Sequence, residues 1–334
     1  MFAVVVVDGH GGYVPLYRVD RSEVAAQHGG RASGESAVPA RDENHVTMAS
    51  EAAGNALARA AVAGEDLDAV FAASVTDPFA DHGIAAHVAY RLGATGDVRT
   101  GDFRGTERAA TDALVAAREF VRATDGSALV VAADVMPADS DADAATAGAG
   151  AGAVVLRPDA EAPAATLTGL GQETTGFVER HREHGETAVA GDSKFEGKYG
   201  FGPAVGAASE RALDGETPGR AVVGAPDPRT ARAALGDFPE VEHVSTHDGV
   251  GDAGTAAVLL DLAHLLETAD ADETVLVVGY GAGGADALTL STGAGVGDGG
   301  ARSVQTYLDA SEEVTYAKHL AYREPVEYEG VKTP

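Results

Sequence analysis

The chain has no cysteine and no tryptophan, and only four of its 334 residues are lysine. Without cysteine there are no disulfides, no thiolate metal sites and no thiol nucleophile. Lysine is confined to Lys194, Lys198, Lys318 and Lys332, so arginine carries most of the positive charge. Acidic residues outnumber basic ones by 52 to 24, a net charge of −28. A surface of that sign repels nucleic acid and anionic membranes, so neither is expected as a partner. It also repels itself unless salt screens it. The composition fits a salt-accumulating cytoplasm, as in halophilic archaea; the plainer alternative is an ordinary acidic protein. No apolar run reaches the roughly 18 residues of a membrane span. The opening MFAVVVVDGHGGYVP has no basic n-region and no cleavage site. It is expected as a first strand, Phe2 to Val7, of a cytoplasmic protein.

What is present is an alternation of helix and strand signals. TMASEAAGNALARAAVAG reads as a helix, with Asn44 or Thr47 near its start and Gly64 just beyond. LDAVFAASV follows as a buried strand, HGIAAHVAYRLGA as a second helix and SALVVAADV as another buried strand. The pattern predicts an α/β fold with mostly parallel strands. It also repeats: GTERAATDALVAAREFVRATDGSALVVAAD begins at Gly105 and GTAAVLLDLAHLLETADADETVLVVGYGAG at Gly254. Shorter helical units, Gly83 to Ala94 and Pro228 to Leu235, precede the two copies. Two copies so far apart suggest a duplicated domain about a pseudo-twofold axis rather than a solenoid. The expected division is an N-terminal half over 1–160, an intervening excursion over 161–217 and a C-terminal half over 218–334.

Several motifs could carry chemistry. TGDFRGTERAATDAL, Thr100 to Leu114, reads as a tight turn feeding a helix, with Gly105 and Thr106 at the helix start. Such a start favours developing negative charge, yet the turn holds neither cysteine nor serine. GYGAGG, Gly279 to Gly284, matches a dinucleotide fingerprint, but ADALTLST after it reads as a strand and not the required helix. A glycine hairpin turn is expected instead, with Gly281 and Gly283 offering backbone N–H groups to a ligand oxygen. His181 and His184 have metal-like spacing within a charged run that reads better as a solvated face. His247 and Asp252 sit just before the second repeat's helix, which Asp252 is expected to cap. Asp77 and Asp81 are expected to cap the helix that follows them. Thr106, His247, Asp252, Gly281 and Gly283 make up the candidate pocket.

At the Gly-Thr repeats the chain resembles the thiolase superfamily, and most of all its archaeal 3-hydroxy-3-methylglutaryl-CoA synthase family. GGYVPLYRV, DENHVTMASEAAGNAL, AGAGAGAVVL, DSKFEGKYGFGPAV, VLVVGYGAGGADAL and VTYAKHLAYRE are each similar to a family segment, in order along the whole chain. The resemblance implies two pseudo-twofold-related halves in αβαβα layers, and CoA or an acyl-CoA as ligand, with no other cofactor. It also implies a glutamate base, a cysteine nucleophile and a histidine. Here those positions hold Val75, Arg104 or Gly105, and Gly224; the family's asparagine-bearing turn matches Asp252. Acyl transfer through a thioester needs the thiolate, and neither valine nor glycine moves a proton. The resemblance therefore implies a non-catalytic subunit. Its expected partners are a thiolase-like subunit, as a homo- or heterodimer, and a zinc-ribbon/OB-fold acyl-CoA-binding protein docked on the closing VTYAKHLAYREPVEYEG. Two alternatives stay open: a C–C bond-forming synthase with relocated residues (Thr106 served by His247 or Asp77), and a purely structural dimerisation module.

Overall fold

The computed structural model describes residues 4–323 apart from 139–140, 179, 184–188, 226–227, 237 and 298. Ten strands form one mixed sheet. They are β1 (Val6–Tyr13), β2 (Ala69–Ser74), β3 (Arg99–Arg104), β4 (Ala128–Val135), β5 (Ala149–Arg157), β6 (Ala165–Thr174), β7 (Arg220–Gly224), β8 (Glu242–His243), β9 (Thr274–Gly281) and β10 (Gly284–Thr292). Their spatial order is β8-β7-β9-β10-β6-β1-β5-β4-β2-β3. Read outward from the centre, β1-β5-β4-β2-β3 mirrors β6-β10-β9-β7-β8, so the duplication seen in the sequence is a duplication of topology. The halves join where Val6 and Val7 pair antiparallel with Thr166 and Ala165.

The helices used below are α1 (His45–Ala60), α2 (Ala85–Leu92), α3 (Ala109–Thr124), α4 (Gly202–Leu213), α5 (Pro228–Ala234), α6 (His247–Val250), α7 (Ala256–Thr268) and α8 (Tyr316–Arg323). Three apolar clusters account for the layering. One packs α1 and α2 on the N-terminal strands through Met48, Ile84, Val88 and Leu129. One packs α4 and α5 on the C-terminal strands through Val205, Ala231 and Leu276. The largest lies between the halves, where α3 and α7 contribute Ala113, Leu114, Leu262 and Leu266. That is the αβαβα arrangement.

Helix α1 starts as expected: Asn44 and Thr47 form a reciprocal capping box, which satisfies orphan N–H groups. It ends at a left-handed Ala61 rather than at Gly64. The GYGAGG stretch is a hairpin joining antiparallel β9 and β10, and not a dinucleotide turn.

Five expectations are corrected. The sheet is mixed rather than mostly parallel, with five of its nine neighbouring strand pairs antiparallel. The first strand is Val6–Tyr13: Val4 and Val5 precede it, and Phe2, where the strand is expected to begin, lies outside the described residues. Its glycines are strand residues because α1 lies directly on them: a Cβ at Gly9 or Gly11 would strike the carbonyls of Ala56 or Ala52. Thr100–Arg104 is not a turn but part of edge strand β3, paired parallel with β2. The span 161–217 is no excursion throughout, since β6 is the innermost strand of the C-terminal half and α4 covers that half. Finally, neither Asp77 nor Asp81 caps α2. The Asp102 carboxylate does, accepting from Ala85 N at 2.9 Å, while Asp77 closes its own turn by accepting from Phe79 N at 2.9 Å.

Candidate functional site

The two repeats place the starts of α3 and α7 side by side at the centre of the molecule. Ala110 N of α3 donates to Thr255 Oγ1, just ahead of α7, at 2.8 Å. Around this junction the polar interior is organised by Asp134, at the end of β4 and fully buried. Its Oδ1 accepts from Ser74 Oγ (2.7 Å), Val75 N (2.9 Å), Thr76 N (2.9 Å) and Thr76 Oγ1 (2.6 Å). Its Oδ2 accepts from Ala256 N, the first residue of α7, at 3.3 Å. One carboxylate thus fixes the loop after β2 and the start of the second repeat's helix. Burial pushes the Asp134 carboxyl up, against the pull of the Thr76 hydroxyl and His45. Burial holds the His45 imidazole down.

Val75, on that loop, turns its side chain toward Gly254. A Cβ built on Gly254 would lie 3.0 Å from Val75 Cγ1 and 2.8 Å from Met136 Sδ. Val75, Met136 and Gly254 therefore close together over the buried carboxylate. Thr76 is no substitute nucleophile: its hydroxyl donates to Asp134, accepts from Val135 N at 3.1 Å and lies 2.9 Å from His45 Nε2.

Arg104 ends β3 and is a clamp. Its Nη1 donates to Asp77 Oδ2 (3.2 Å), Phe79 O (3.0 Å) and His82 O (3.3 Å). Gly105 follows in a left-handed conformation, φ +83°, with nothing within 4 Å of where a Cβ would stand. Thr106 leans on the β9–β10 turn, its hydroxyl donating to Ala282 O at 3.3 Å. A Cβ on Gly281 would collide with it. Gly283, φ +91°, ties the turn to the chain after β6 through Thr175 N→Gly283 O at 2.8 Å. Gly224 ends β7, where a Cβ would meet Val258 Cγ2 at 2.5 Å. A histidine there would have to displace the α7 side chain.

His247 and Asp252 belong to another wall. His247 Nε2 lies 2.7 Å from Arg21 Nη1, and its carbonyl accepts from Arg21 Nη2 at 3.1 Å. Asp252 accepts from Gly254 N at 2.9 Å, and its backbone bridges Thr146 and Gly148. It shapes the turn before α7, whereas the helix's first N–H goes to Asp134. Both line a cavity of ≈ 20 Å³, room for about one water, together with His243, Thr246 and Asp261. Burial drives the Asp261 carboxyl up to about 6 although it accepts from Thr246 N and Oγ1, each at 2.7 Å.

The structure thus joins Thr106 to Gly281, and Val75 to Gly254, whereas His247 meets Arg21 and Asp77 accepts from Arg104. His181 is exposed in a two-residue strand, Arg180–His181, and His184 lies outside the described residues. No helix among the described residues is long and apolar enough to cross a membrane. Sequence reasoning passed over Asp134, Asp286 and Asp261. Asp286 is fully buried in β10 and accepts from Gln172 Nε2 at 2.9 Å and Thr111 Oγ1 at 3.2 Å. The available signal was a lone aspartate inside an apolar run, in LVVAADV, GADALTL and LLDLAHLL.

No family model matches the chain. Solved structures match its fold over most of its length. HMG-CoA synthase complexed with CoA superposes with a TM-score of 0.77 at 16% identity, covering 95% of this chain and 89% of that one. The 3-oxoacyl-[acyl-carrier-protein] synthase III of Aquifex aeolicus gives 0.75 at 18% identity, covering 86% and 99%. The fold is a mixed α/β, thiolase-like one. In sequence, the hydroxymethylglutaryl-CoA synthase of Methanopyrus kandleri is 29% identical over 97% of this chain and 98% of its own length. That of Pyrococcus horikoshii is 38% identical over a shorter stretch, 35% of this chain and 34% of its own. The chain is thus similar over nearly its whole length to an archaeal hydroxymethylglutaryl-CoA synthase, and it contains no cysteine.

Proposed function

We propose that this chain is a non-catalytic thiolase-fold subunit of an acyl-CoA-handling assembly, working in a salt-rich cytoplasm. What supports the reading is the structural part played by the residues at the positions that the resemblance assigns to catalysis. Arg104 clamps a loop through three acceptors. Val75 packs against the Gly254 position beside Met136, and Gly224 has no room for a Cβ beside Val258. A relocated active site would need a base beside a free hydroxyl. Thr76 and Thr106 spend theirs on Asp134 and Ala282 O. A module with its pocket filled by side chains would cover Gly105, which is exposed and open.

The proposed partners are a catalytic thiolase-like subunit and a zinc-ribbon/OB-fold acyl-CoA-binding protein, with the C-terminal segment as docking surface. Residues 324–330 of that segment lie outside the described residues; α8 before them is seated through Arg323, which donates to Met136 O at 2.7 Å and Ala147 O at 2.9 Å. The test is condensation of acetyl-CoA with acetoacetyl-CoA at high salt, alone and with copurifying proteins. The expected result is no turnover by the isolated chain and copurification of a thiolase-fold partner. Turnover by the isolated chain would refute the proposal.

A further inference from the structure

The loop after β2 carries a cluster that the proposed function does not use. Phe79, Asp81 and His82 lie on this loop, and His87 projects from the exposed side of α2. The loop is held from several directions. Arg104 gathers three of its acceptors, Asp77 closes a turn on Phe79 N, and Gly83 packs on the Asp102 carboxylate that caps α2. The His82 ring stacks on Phe79 with centroids 4.0 Å apart. Asp81 Oδ1 accepts from His82 Nδ1 at 2.9 Å. That bond places the proton on Nδ1 and leaves the Nε2 lone pair for another partner, the arrangement in which a carboxylate orients a metal-binding imidazole.

The His87 ring centroid is 5.2 Å from that of His82, with the planes at 59°. Two imidazoles on one tetrahedral ion, with metal–nitrogen bonds of about 2.0–2.1 Å, have centroids about 5 Å apart. We propose that His82 and His87 together bind one divalent transition-metal ion, zinc, copper or nickel, with Asp81 orienting His82. Imidazole suits these ions, whereas the carboxylates of the surrounding surface suit magnesium and calcium. No three histidine, aspartate or glutamate side chains converge among the described residues, so water completes the shell and the ion exchanges readily. The negative field of the chain raises the local cation concentration. The bound ion staples the β2–α2 loop to α2. Arg104, where the resemblance places a nucleophile, serves as one anchor of the loop that presents His82.

The experiment is calorimetric titration of the metal-free full-length protein with Zn²⁺ at high KCl. Imidazole proton shifts are followed by NMR in parallel. One zinc per chain is expected, perturbing two imidazoles. His82→Ala and His87→Ala should each weaken it at least tenfold, and Asp81→Asn about tenfold. His181→Ala, remote in sequence and also exposed, should leave it unchanged. All four side chains are solvent-facing, and circular dichroism checks that the variants fold. Failure of wild type to bind zinc, binding that survives His82→Ala and His87→Ala, or only weak binding without imidazole shifts would each overturn the proposal. None of these results depends on whether the chain catalyses acyl transfer.

Discussion

His10→Leu should stabilise the protein, and increasingly so as the pH falls. His10 lies in β1 with no accessible surface, and neither ring nitrogen has a hydrogen-bond partner among the described residues. Burial, reinforced by the nearby Arg59 guanidinium, pushes its imidazole down from 6.5 to about 3. The unfolded chain therefore takes up a proton below pH 6.5 that the folded chain refuses until about pH 3. Stability from this residue is complete above pH 6.5 and is lost progressively as the pH falls through that window. At about 1.4 kcal/mol per pH unit, two units below 6.5 cost about 3 kcal/mol. Leucine has a similar volume and no proton to bind, so the variant lacks this term. At pH 7 it should already gain about 1–3 kcal/mol, because two unsatisfied nitrogens leave the core. The assay is equilibrium urea unfolding of both proteins at fixed high salt, at pH 7 and pH 4.5. Carboxylates contribute alike to both, so the difference isolates His10. The gap should widen by about 3 kcal/mol between the two pH values. Parallel stability curves would refute the reasoning and mean that the His10 nitrogens are hydrated or paired in solution.

Other predictions follow from the same kind of accounting. Asp261 has the opposite sign: its folded value of about 6 exceeds the unfolded 3.8. Its stabilising contribution is therefore complete below pH 3.8 and lost as the pH rises to about 6. Asp261→Asn should flatten that part of the stability curve, read by urea unfolding from pH 4 to 7. Glu267 pairs with Arg59 at 2.8 Å, both side chains 3% exposed, and also accepts from Val304 N. Glu267→Ala strands a buried guanidinium and should cost about 3–5 kcal/mol in chemical denaturation. Gly224→Ala should cost about 1–3 kcal/mol by overpacking. A double-mutant cycle with Val258→Ala should recover part of it; strict additivity would show that the two sites do not touch. Arg104→Ala takes the guanidinium from Asp77, whose side chain is only 4% exposed, and should cost about 1–3 kcal/mol of global stability. It should also speed amide exchange over residues 77–82.

Helix α1, the helices of the two repeats and the GYGAGG hairpin were legible in the sequence because each rests on local chemistry, although α3 begins at Ala109 and not at Gly105-Thr106. A capping box, a 3.6-residue apolar period and a β-run after a glycine turn need no knowledge of distant contacts. Val75, Gly105 and Gly224 stand out in the sequence only through the resemblance, and the structure adds what each of them packs against or leaves open. The polar frame was not legible. Asp134 lies sixty residues beyond Ser74 and more than a hundred before Ala256, yet it binds both. Asp102 caps a helix seventeen residues upstream, so the nearer acids Asp77 and Asp81 were misread as caps. Only the tertiary structure decides which acid reaches a helix start.

Glycine shows how packing constrains two of the positions that the resemblance assigns to catalysis. In β1 the chain reads DGHGGYVP, and turn chemistry argues for a loop. The strand continues because α1 lies against Gly9 and Gly11 too closely for a side chain, so helix packing overrides local preference. Gly224 obeys the same constraint against Val258, and Gly254 against Val75, Met136 and Asp134. A histidine at 224 would have to displace the Val258 side chain. A glutamate in place of Val75 would bring a second carboxylate beside buried Asp134, raising the cost of ionising either. A chain carrying Val75→Glu, Gly105→Cys and Gly224→His should therefore lose stability without gaining acyl transfer. Urea unfolding and thioester formation with acetyl-CoA would measure the two outcomes. Acetylation of the introduced cysteine in a folded triple variant would show instead that the site had only lost its residues.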